Sequence, residues 1–453
     1  MKERIVILGA GESGTGAALL AQQRGYDVFV SDSGAIKSGY RDDLIRHKIE
    51  FEEEKHTEEK ILNASLIIKS PGIPDKVPVV MKAKQKGIEV IDEIEFAFRF
   101  LKGRVIAITG TNGKTTTTLL TYHLLKSAGF DVALAGNVGE SLARKLAHGN
   151  HSWYVLEISS FQLDGTKTFR PDIGILLNIT PDHLDRYNYE MKNYINSKFR
   201  LAANMTPADA FIYYADDAVL KNEMAGRNLP ARVLRISFTD SLAPLYFDGE
   251  VFHVQLNNLQ LSLKQSETTL RGRHNAVNTL AAVGAALLAG VKPEAVMAAL
   301  KTFKNAPHRL EHIATIRGVE FVNDSKATNV DSVIYALGSY KQPLIWIAGG
   351  IDKGNDYNLI KDEVKKKVKA LICLGKDNEK LKRFFTGVVP VVRETQSVKE
   401  LVRMALDEAS AGDVVLLSPA CASFDLFKNY EDRGNQFRQA VLDLKKELEQ
   451  QPV

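Results

Sequence analysis

Short β-rich apolar runs alternate with helical patterns along nearly the whole chain, and this predicts an α/β fold built on parallel sheets. The rhythm restarts three times, first at Ile5, again at Val105 and again at Val319. Polar or glycine-bearing segments also fall just past the carboxyl ends of many of these runs, where open α/β sheets place ligands. A length of 453 residues suits about three domains. The boundaries are expected near 93 and 305, giving domains 1–92, 93–305 and 306–453. Residues 208–270 break the rhythm with short strands and turns, and are expected to form a small antiparallel annex of the central domain.

The elements justify this division in order. In the first section the strand at Ile5 leads into Gly9-Ala10-Gly11-Glu12-Ser13-Gly14 and a helix. The next strand, Val28–Ser31, ends at Asp32, and Leu66-Ile67-Ile68 leads to Ser70-Pro71-Gly72. Glycines there let backbone approach a diphosphate, and the acid can accept from a ribose or base. This is a Rossmann-like domain. NAD is one reading of its fingerprint; another nucleoside diphosphate would use the same geometry.

The second section opens with the strand Val105-Ile106-Ala107-Ile108. Thr109-Gly110-Thr111-Asn112-Gly113-Lys114-Thr115-Thr116 follows, and then a helix with Leu120 and Leu124 four apart. Strand, glycine-bearing turn and helix together cradle phosphate through backbone N–H groups. Lys114 would reach the outer phosphates, and the Thr115 hydroxyl would hold Mg²⁺. The loop is a shortened variant: Ile108 stands where the usual first glycine would, and the first glycine is Gly110. The central domain is therefore read as P-loop ATPase-like. Glu157 ends the strand Trp153–Leu156, and His183 lies just past the strand at Ile173–Leu177. A Glu and a His at strand ends can hold Mg²⁺ against triphosphate oxygens. Lys198, in a helical stretch, reads by pattern alone as an ordinary surface lysine. Asn275 and Asn278 lie on one helix face after Arg271-Gly272-Arg273-His274, where they either read a nucleotide edge or cap the helix.

The third section is again Rossmann-like, with strands expected at 319–322, 344–348, 370–374, 388–392 and 414–417. Asn323 to Asn329, Gly349 to Gly354 and Ser418 to Ser423 are polar or glycine-bearing strand ends in one parallel sheet, so they converge on one crevice. Thr328, Lys353 and Ser423 could bind a small carboxylate there. Cys421 reads as a small buried packing residue, since no histidine accompanies it.

Composition narrows the function classes. Apolar residues make up 45% and charged residues 25%, with a net charge of +4, an ordinary globular balance with no basic block suited to nucleic acid. The Lys365–Lys369 cluster reads as a solvated helix face. Two cysteines, far apart, fit a reducing compartment rather than a disulfide framework. No apolar run approaches the ~18 residues of a membrane helix, and the first apolar run is too short for a signal peptide. A soluble, cytoplasmic monomer is expected.

These motifs, with Pro307-His308-Arg309-Leu310-Glu311 and Asp324-Ser325-Lys326-Ala327-Thr328-Asn329, occur in one order along the chain. In that order they resemble the Mur ligases, the ATP-dependent amide ligases of peptidoglycan precursor synthesis. Ser418 to Asp425 and Tyr430-Glu431-Asp432-Arg433-Gly434 are similar to the branch that adds D-glutamate. The resemblance implies an ATP- and Mg²⁺-dependent ligase, with two metal ions, joining the carboxylate of UDP-MurNAc-L-Ala to D-glutamate through an acyl phosphate. It implies that Lys198 is carbamylated and bridges Mg²⁺ with Thr115, Glu157 and His183. ATP would meet Gly110 to Thr116, Asn275, Asn278, Arg309 and Asp324. The UDP substrate would meet Gly11, Ser13, Gly14, Asp32, Ser70, Gly72, Asn137 and His183. D-glutamate would meet Lys326, Thr328, Lys353, Ser423 and Tyr430. Two positions depart from the family pattern: Tyr430 stands where Phe is expected, and Ser33-Gly34 follow Asp32 where an Arg is common. Another amide ligase of the same build, a nicotinamide oxidoreductase and a nucleotide-sensing module remain as rival readings at this stage.

Overall fold

The computed structural model describes residues 2–450. Three sheets carry the chain. The first has the order β3-β2-β1-β4-β5, with β1 at Arg4–Leu8, β2 at Asp27–Ser31, β3 at Glu50–Glu52, β4 at Leu66–Lys69 and β5 at Glu89–Asp92. All its pairings are parallel. Ile5, Val6, Ile7 and Leu8 are all buried, as expected for a central strand covered on both faces.

The second sheet runs β14-β13-β12-β11-β10-β9-β6-β8-β7. Its strands are β6 (Arg104–Thr109), β7 (Val132–Gly136), β8 (Trp153–Glu157), β9 (Ile173–Leu176), β10 (Ala210–Tyr214), β11 (Arg232–Ser237), β12 (Leu245–Phe247), β13 (Val251–Leu256) and β14 (Leu259–Lys264). The expected annex is not a separate sheet. β10 and β11 continue the parallel sheet beyond β9, and β12 adds in parallel. Only β13 and β14 run antiparallel. The alternating burial of β13 and β14 shows one wet face, which blurs the apolar rhythm that marks the strands before them.

The third sheet has the order β15-β16-β20-β17-β18-β19, with β15 (Glu311–Ile316), β16 (Val319–Asn323), β17 (Leu344–Ala348), β18 (Val368–Leu374), β19 (Val391–Thr395) and β20 (Val414–Leu417). β15 pairs antiparallel with β16, and the others are parallel. The sheet is buried on both faces: Trp346, Leu371 and Cys373 pack in one cluster, and Ile345, Ile347 and Ile372 in another. The strand expected at 388–392 starts at Val391 instead. Pro390 offers no N–H to the ladder, so pairing begins after it.

The described chain divides into two compact units. One comprises residues 1–269 and 277–303 and contains the first two sheets; the other comprises 270–276 and 304–453 and contains the third. Within the first unit the two sheets meet through charged groups. Glu12 Oε1 accepts from Ser141 N, Ser141 Oγ and Arg144 Nε, at 2.9, 3.1 and 3.0 Å, and Arg144 also reaches Asp43 at 2.8 Å. Asp92 caps the helix Glu93–Phe98 through Ile94 N at 2.9 Å, and Glu93 Oε1 accepts from Ala143 N at 2.5 Å. The other oxygen of each carboxyl, Asp92 Oδ2 and Glu93 Oε2, is buried and has no hydrogen-bond partner among the described residues.

Burial pushes the Asp92 carboxyl up to about 7. Burial, with Asp92 alongside, pushes Glu93 up to about 8. Both groups therefore hold protons in the folded chain that the unfolded chain releases. Their contribution to stability falls as pH rises from the ordinary carboxyl range to about 8, and is level above it. Asp92→Asn combined with Glu93→Gln is expected to flatten that decline in urea-unfolding midpoints measured across the range. A slope identical to that of the parent chain would show that the pair is already ionised when folded.

Candidate active site

In each sheet a parallel strand is flanked by strands that lie elsewhere in the sequence, β1 between β2 and β4, β6 between β8 and β9, and β20 between β16 and β17. A crevice opens beyond the carboxyl end of such a strand. The segments singled out in the sequence lie at these ends.

In the first sheet Gly9 has φ 90°, and a Cβ on it would lie 2.6 Å from Ser70 Oγ. A Cβ on Gly14 would lie 1.8 Å from the Gly9 carbonyl, so the helix Glu12–Gln23 can pack this closely only with glycine at both points. Gly11 is the N-cap of that helix, and Ser13 is in its first turn. Ser70 Oγ lies 3.4 Å from the Gly9 carbonyl. Asp32 accepts from Ala10 N at 2.6 Å with one oxygen and from Gly34 N at 2.8 Å with the other. One oxygen braces the glycine loop at Ala10, and the other closes the turn that follows β2. Gly72 lies in the turn after β4, and its carbonyl accepts from Arg186.

In the second sheet β6 delivers the chain to Gly110 (φ 153°) and Gly113 (φ 85°), and Gly113 is the left-handed N-cap of the helix Lys114–Ser127. A Cβ on Gly113 would meet Asn278 Oδ1 at 2.3 Å. That same oxygen accepts from Thr117 Oγ1 at 3.2 Å, so Asn278 packs directly against the loop. The segment after β9 holds the other side. Thr111 N donates to Asn178 O at 2.9 Å, Asn112 N donates to Asn178 Oδ1 at 2.8 Å, and Thr111 Oγ1 sits 3.1 Å from Tyr194 Oη. Thr115 and Thr116 stand in the first turn of the helix, where an anion meets the backbone N–H groups.

Lys198 is not on the surface. It is 1% exposed, on the inward face of the helix Met191–Phe199. Its Nζ donates to the Gly110 carbonyl at 2.8 Å, and Lys114 Nζ donates to the same oxygen at 2.9 Å. Lys114 also donates to Thr111 O at 2.8 Å, and Lys198 lies 4.6 Å from the Tyr194 ring centre. Burial, reinforced by the neighbouring Lys114 charge, holds the Lys198 ammonium well below its usual range. A neutral amine is thereby favoured, and a neutral amine is nucleophilic.

Glu157 is 2% exposed at the end of β8. Its Oε1 accepts from Asn137 Nδ2 at 2.7 Å, which brings the two expected residues together. Its Oε2 is buried without a hydrogen-bond partner among the described residues. A buried carboxylate oxygen in that condition suits a cation. Among the described residues no three His, Cys, Asp or Glu side chains gather as a cation cage. Mg²⁺ commonly takes one or two carboxylates and completes its shell with phosphate and water, so the donor set fits that ion alongside a triphosphate. His183 has φ 52°, its side chain is half-exposed, and its ring meets Phe161 edge-on with centroids 5.2 Å apart.

Asn275 and Asp324 belong to the second unit, and Asn275 stands in the first turn of its helix. It lies inside Arg273–Leu288 and donates back to Arg271 O at 2.9 Å. Asp324, after β16, accepts from Leu310 N at 3.2 Å and Ser418 Oγ at 3.1 Å. Burial raises its carboxyl to about 7, and the Arg309 charge acts on it in the opposite sense. Lys326 Nζ lies 3.7 Å from the centre of the Tyr430 ring, a close cation–π contact. Ser423 is buried and Thr328 half-buried, while Lys353 is exposed in the loop after β17. Cys421 is buried, as expected.

Arg433 organises these strand ends, although no role for it followed from the sequence. It is 1% exposed. It donates to Ser325 Oγ and Ser325 O at 2.9 Å each, to Gly349 O at 3.3 Å and to Cys421 O at 3.2 Å. One guanidinium therefore ties together the ends of β16, β17 and β20. Ser325 Oγ also donates to Tyr430 O at 2.9 Å, fixing the start of the helix Tyr430–Glu449. The available signal was an arginine one helical turn beyond Tyr430, on the same face. Arg433→Met is expected to lower unfolding stability by about 3 kcal/mol or more, because buried carbonyls lose charged donors. Denaturant titration measures this, and a loss under about 0.5 kcal/mol, the size of an ordinary surface substitution, would contradict it.

Known proteins agree with this architecture along the whole chain. The family model of the Mur ligase middle domain matches residues 108–286, that of the Mur ligase glutamate ligase domain matches 308–421, and that of the Mur ligase MurD-like N-terminal domain matches 3–92. A UDP-N-acetylmuramoylalanine--D-glutamate ligase of Cytophaga hutchinsonii is 52% identical over 98% of this chain and 100% of its own. The protein of the same name from Bacteroides thetaiotaomicron is 50% identical, again over 98% of this chain and 100% of its own. Among solved structures, a pseudomurein peptide ligase type C from Methanothermus fervidus shares the fold with a TM-score of 0.63 at 20% identity, covering 98% of this chain and 100% of that one. MurF ligase from Thermotoga maritima in complex with ADP gives 0.62 at 15% identity, covering 93% and 95%.

Proposed function

This chain belongs to the Mur ligase family, and from that premise we propose that it joins the alanyl carboxylate of UDP-MurNAc-L-Ala to the amine of D-glutamate at the expense of ATP. The observation that carries the reading is the pair of lysines on the Gly110 carbonyl, together with Glu157 at the end of β8, whose buried oxygen lacks a partner among the described residues. The identity of the substrates rests on the names of the full-length relatives. The division of labour follows the three sheets. Residues 1–92 take the UDP substrate with Gly11, Ser13, Gly14, Asp32, Ser70 and Gly72, aided by Asn137 and His183. Residues 93–305 take ATP on the loop from Gly110 to Thr116. Residues 306–453 take D-glutamate with Lys326, Thr328, Lys353, Ser423 and Tyr430.

A carboxylate is a poor acylating agent because attack on it must expel oxide. In the first step its oxygen bonds to the γ-phosphorus of ATP and the bond to the bridging oxygen of ADP breaks, leaving an acyl phosphate. The D-glutamate amine, having lost a proton, then bonds to the acyl carbon, and inorganic phosphate departs. Phosphoryl transfer of this kind depends on in-line positioning and charge neutralisation. Lys114 supplies a mobile cation, released from the loop carbonyls when phosphate oxygens replace them. The helix N-terminus at Lys114 supplies a fixed dipole. Lys198, favoured as a neutral amine, would bond to the carbon of CO₂ and lose a proton; this turns a buried amine into an anion that would act together with Thr115, Glu157 and His183. Those four groups would hold Mg²⁺, which when bound neutralises developing phosphate charge.

Release of ADP is expected with UDP-MurNAc-L-Ala, ATP, Mg²⁺ and D-glutamate together. Sustained release without D-glutamate, or equal release with L-glutamate, would defeat the assignment. Lys198→Ala is expected to lose about a hundredfold or more in kcat, the size of a lost electrostatic group at a reacting centre. Added short-chain carboxylates should restore part of that activity, and a variant fully active without them would remove the lysine from the metal-bridging role.

A further inference from the structure

Arg186 lies in the short 3-10 turn Leu184–Tyr187, three residues after His183. Its guanidinium donates from one terminal nitrogen to the Gly72 carbonyl at 3.1 Å and from the other to the Pro71 carbonyl at 3.3 Å. Its carbon lies 4.5 Å from the Phe161 ring centre, and that ring is in turn 5.2 Å from the His183 ring. Phe161 also stacks on Tyr187 at 6.1 Å. Tyr187 Oη donates to Asp164 at 2.9 Å and lies 3.2 Å from Ser197 Oγ, and Ser197 directly precedes Lys198. One planar cation thus bridges the strand-end turn of the first sheet and the aromatic wall beside His183.

We infer that Arg186 is a positioning residue that sets the distance between the nucleotide-holding turn of the first sheet and the reacting end of the same substrate. The inference rests on the ligase reading above. The UDP substrate is long, with its uridine end and its carboxylate held by different sheets. A shift between the Ser70–Gly72 turn and His183 therefore misplaces the carboxylate by the full amount of that shift. Ser70 transmits the constraint to the Gly9 loop through its contact with the Gly9 carbonyl. The guanidinium geometry is specific: its fork spans two consecutive carbonyls while its face lies on an aromatic ring, which a single ammonium cannot do. Lysine should therefore fail as a substitute even though it keeps the charge.

The test compares parent, Arg186→Lys, Arg186→Met and Phe161→Leu chains by steady-state kinetics with each substrate varied in turn, and by thermal unfolding. The parent must first show D-glutamate-dependent ADP release; without it the ligase reading itself fails, whatever Arg186 does. Given that activity, Arg186→Lys and Arg186→Met are each expected to raise KM for UDP-MurNAc-L-Ala and lower kcat, so that kcat/KM for that substrate falls by about tenfold to a hundredfold, the size that misplacement of a reacting group by about 1 Å costs. KM for ATP and for D-glutamate should stay within about twofold, since neither is held by this turn. Phe161→Leu should move KM for the UDP substrate in the same direction with the fork intact. Equal changes in all three KM values, full rescue by lysine, or a fall in melting temperature with unchanged KM would each overturn the inference. Should both arginine variants fail to fold, Phe161→Leu alone decides it, and an unchanged KM for the UDP substrate there would overturn it.

Discussion

Two lysine side chains end on one carbonyl oxygen, that of Gly110, and the architecture around β6 exists to make this tolerable. Two cations at hydrogen-bond distance from one neutral acceptor repel each other strongly where water is excluded. The chain meets the conflict in two ways. Lys114 can leave, because its stem springs from a helix start that faces the crevice. Lys198 is fully enclosed, and burial with the neighbouring Lys114 charge holds its ammonium well below the usual range. The glycine loop, the Asn178 clamp and the Tyr194–Thr111 contact hold the oxygen where both lysines reach it. The same sheet carries at the end of β8 a carboxylate oxygen, Glu157 Oε2, that is buried with no hydrogen-bond partner among the described residues. A triphosphate with its metal answers both needs together.

The other two sheets use the same device at lower intensity. In the first, Asp32 and Ser70 converge on the backbone of the Gly9–Gly11 loop and fix its course. Glu12, the first residue of the following helix, is turned away to Ser141 and Arg144, so the helix N-terminus is not neutralised by its own acid. In the third sheet Arg433 donates to carbonyls and a hydroxyl, and burial brings it down to about 10 while the Asp425 charge acts in the opposite sense. It draws three strand ends to one point and leaves the carboxylates of that region, notably Asp324, to face other groups.

The strand-to-helix phosphate loop was legible in the sequence because every part of it is local: four apolar residues, two glycines at positive φ, a lysine and a hydroxyl. The converging strand ends were legible for the same reason, since each is an apolar run followed by polar residues. Lys198 was not legible from pattern, because its burial is decided by β6 and the Asn178 segment, which are distant in sequence. The role proposed for it was suggested by family resemblance, not by pattern. Arg186 and Arg433 share that difficulty: their partners lie more than eighty residues away along the chain for most contacts. Asp32 was legible as a strand-end acid, but its two backbone partners depend on how the neighbouring loops curl. Asp92 and Glu93 read as ordinary polar residues at a domain boundary, and only the packing of the second sheet against the first encloses them. The strand displaced past Pro390 and the parallel extension through β10 and β11 show where a proline and a half-wet sheet edge outweighed local periodicity.

The proposed chemistry requires that enclosure beside Lys114 favour Lys198 as a neutral amine able to take up CO₂. Carbon-13 NMR of the protein equilibrated with ¹³C-bicarbonate tests this most directly, with the Lys198→Ala chain as reference. The account predicts a carbamate resonance in the parent chain that disappears when bicarbonate is removed and is missing from the variant. A parent spectrum without that resonance, at a pH where the chain is folded and turning over, would contradict it.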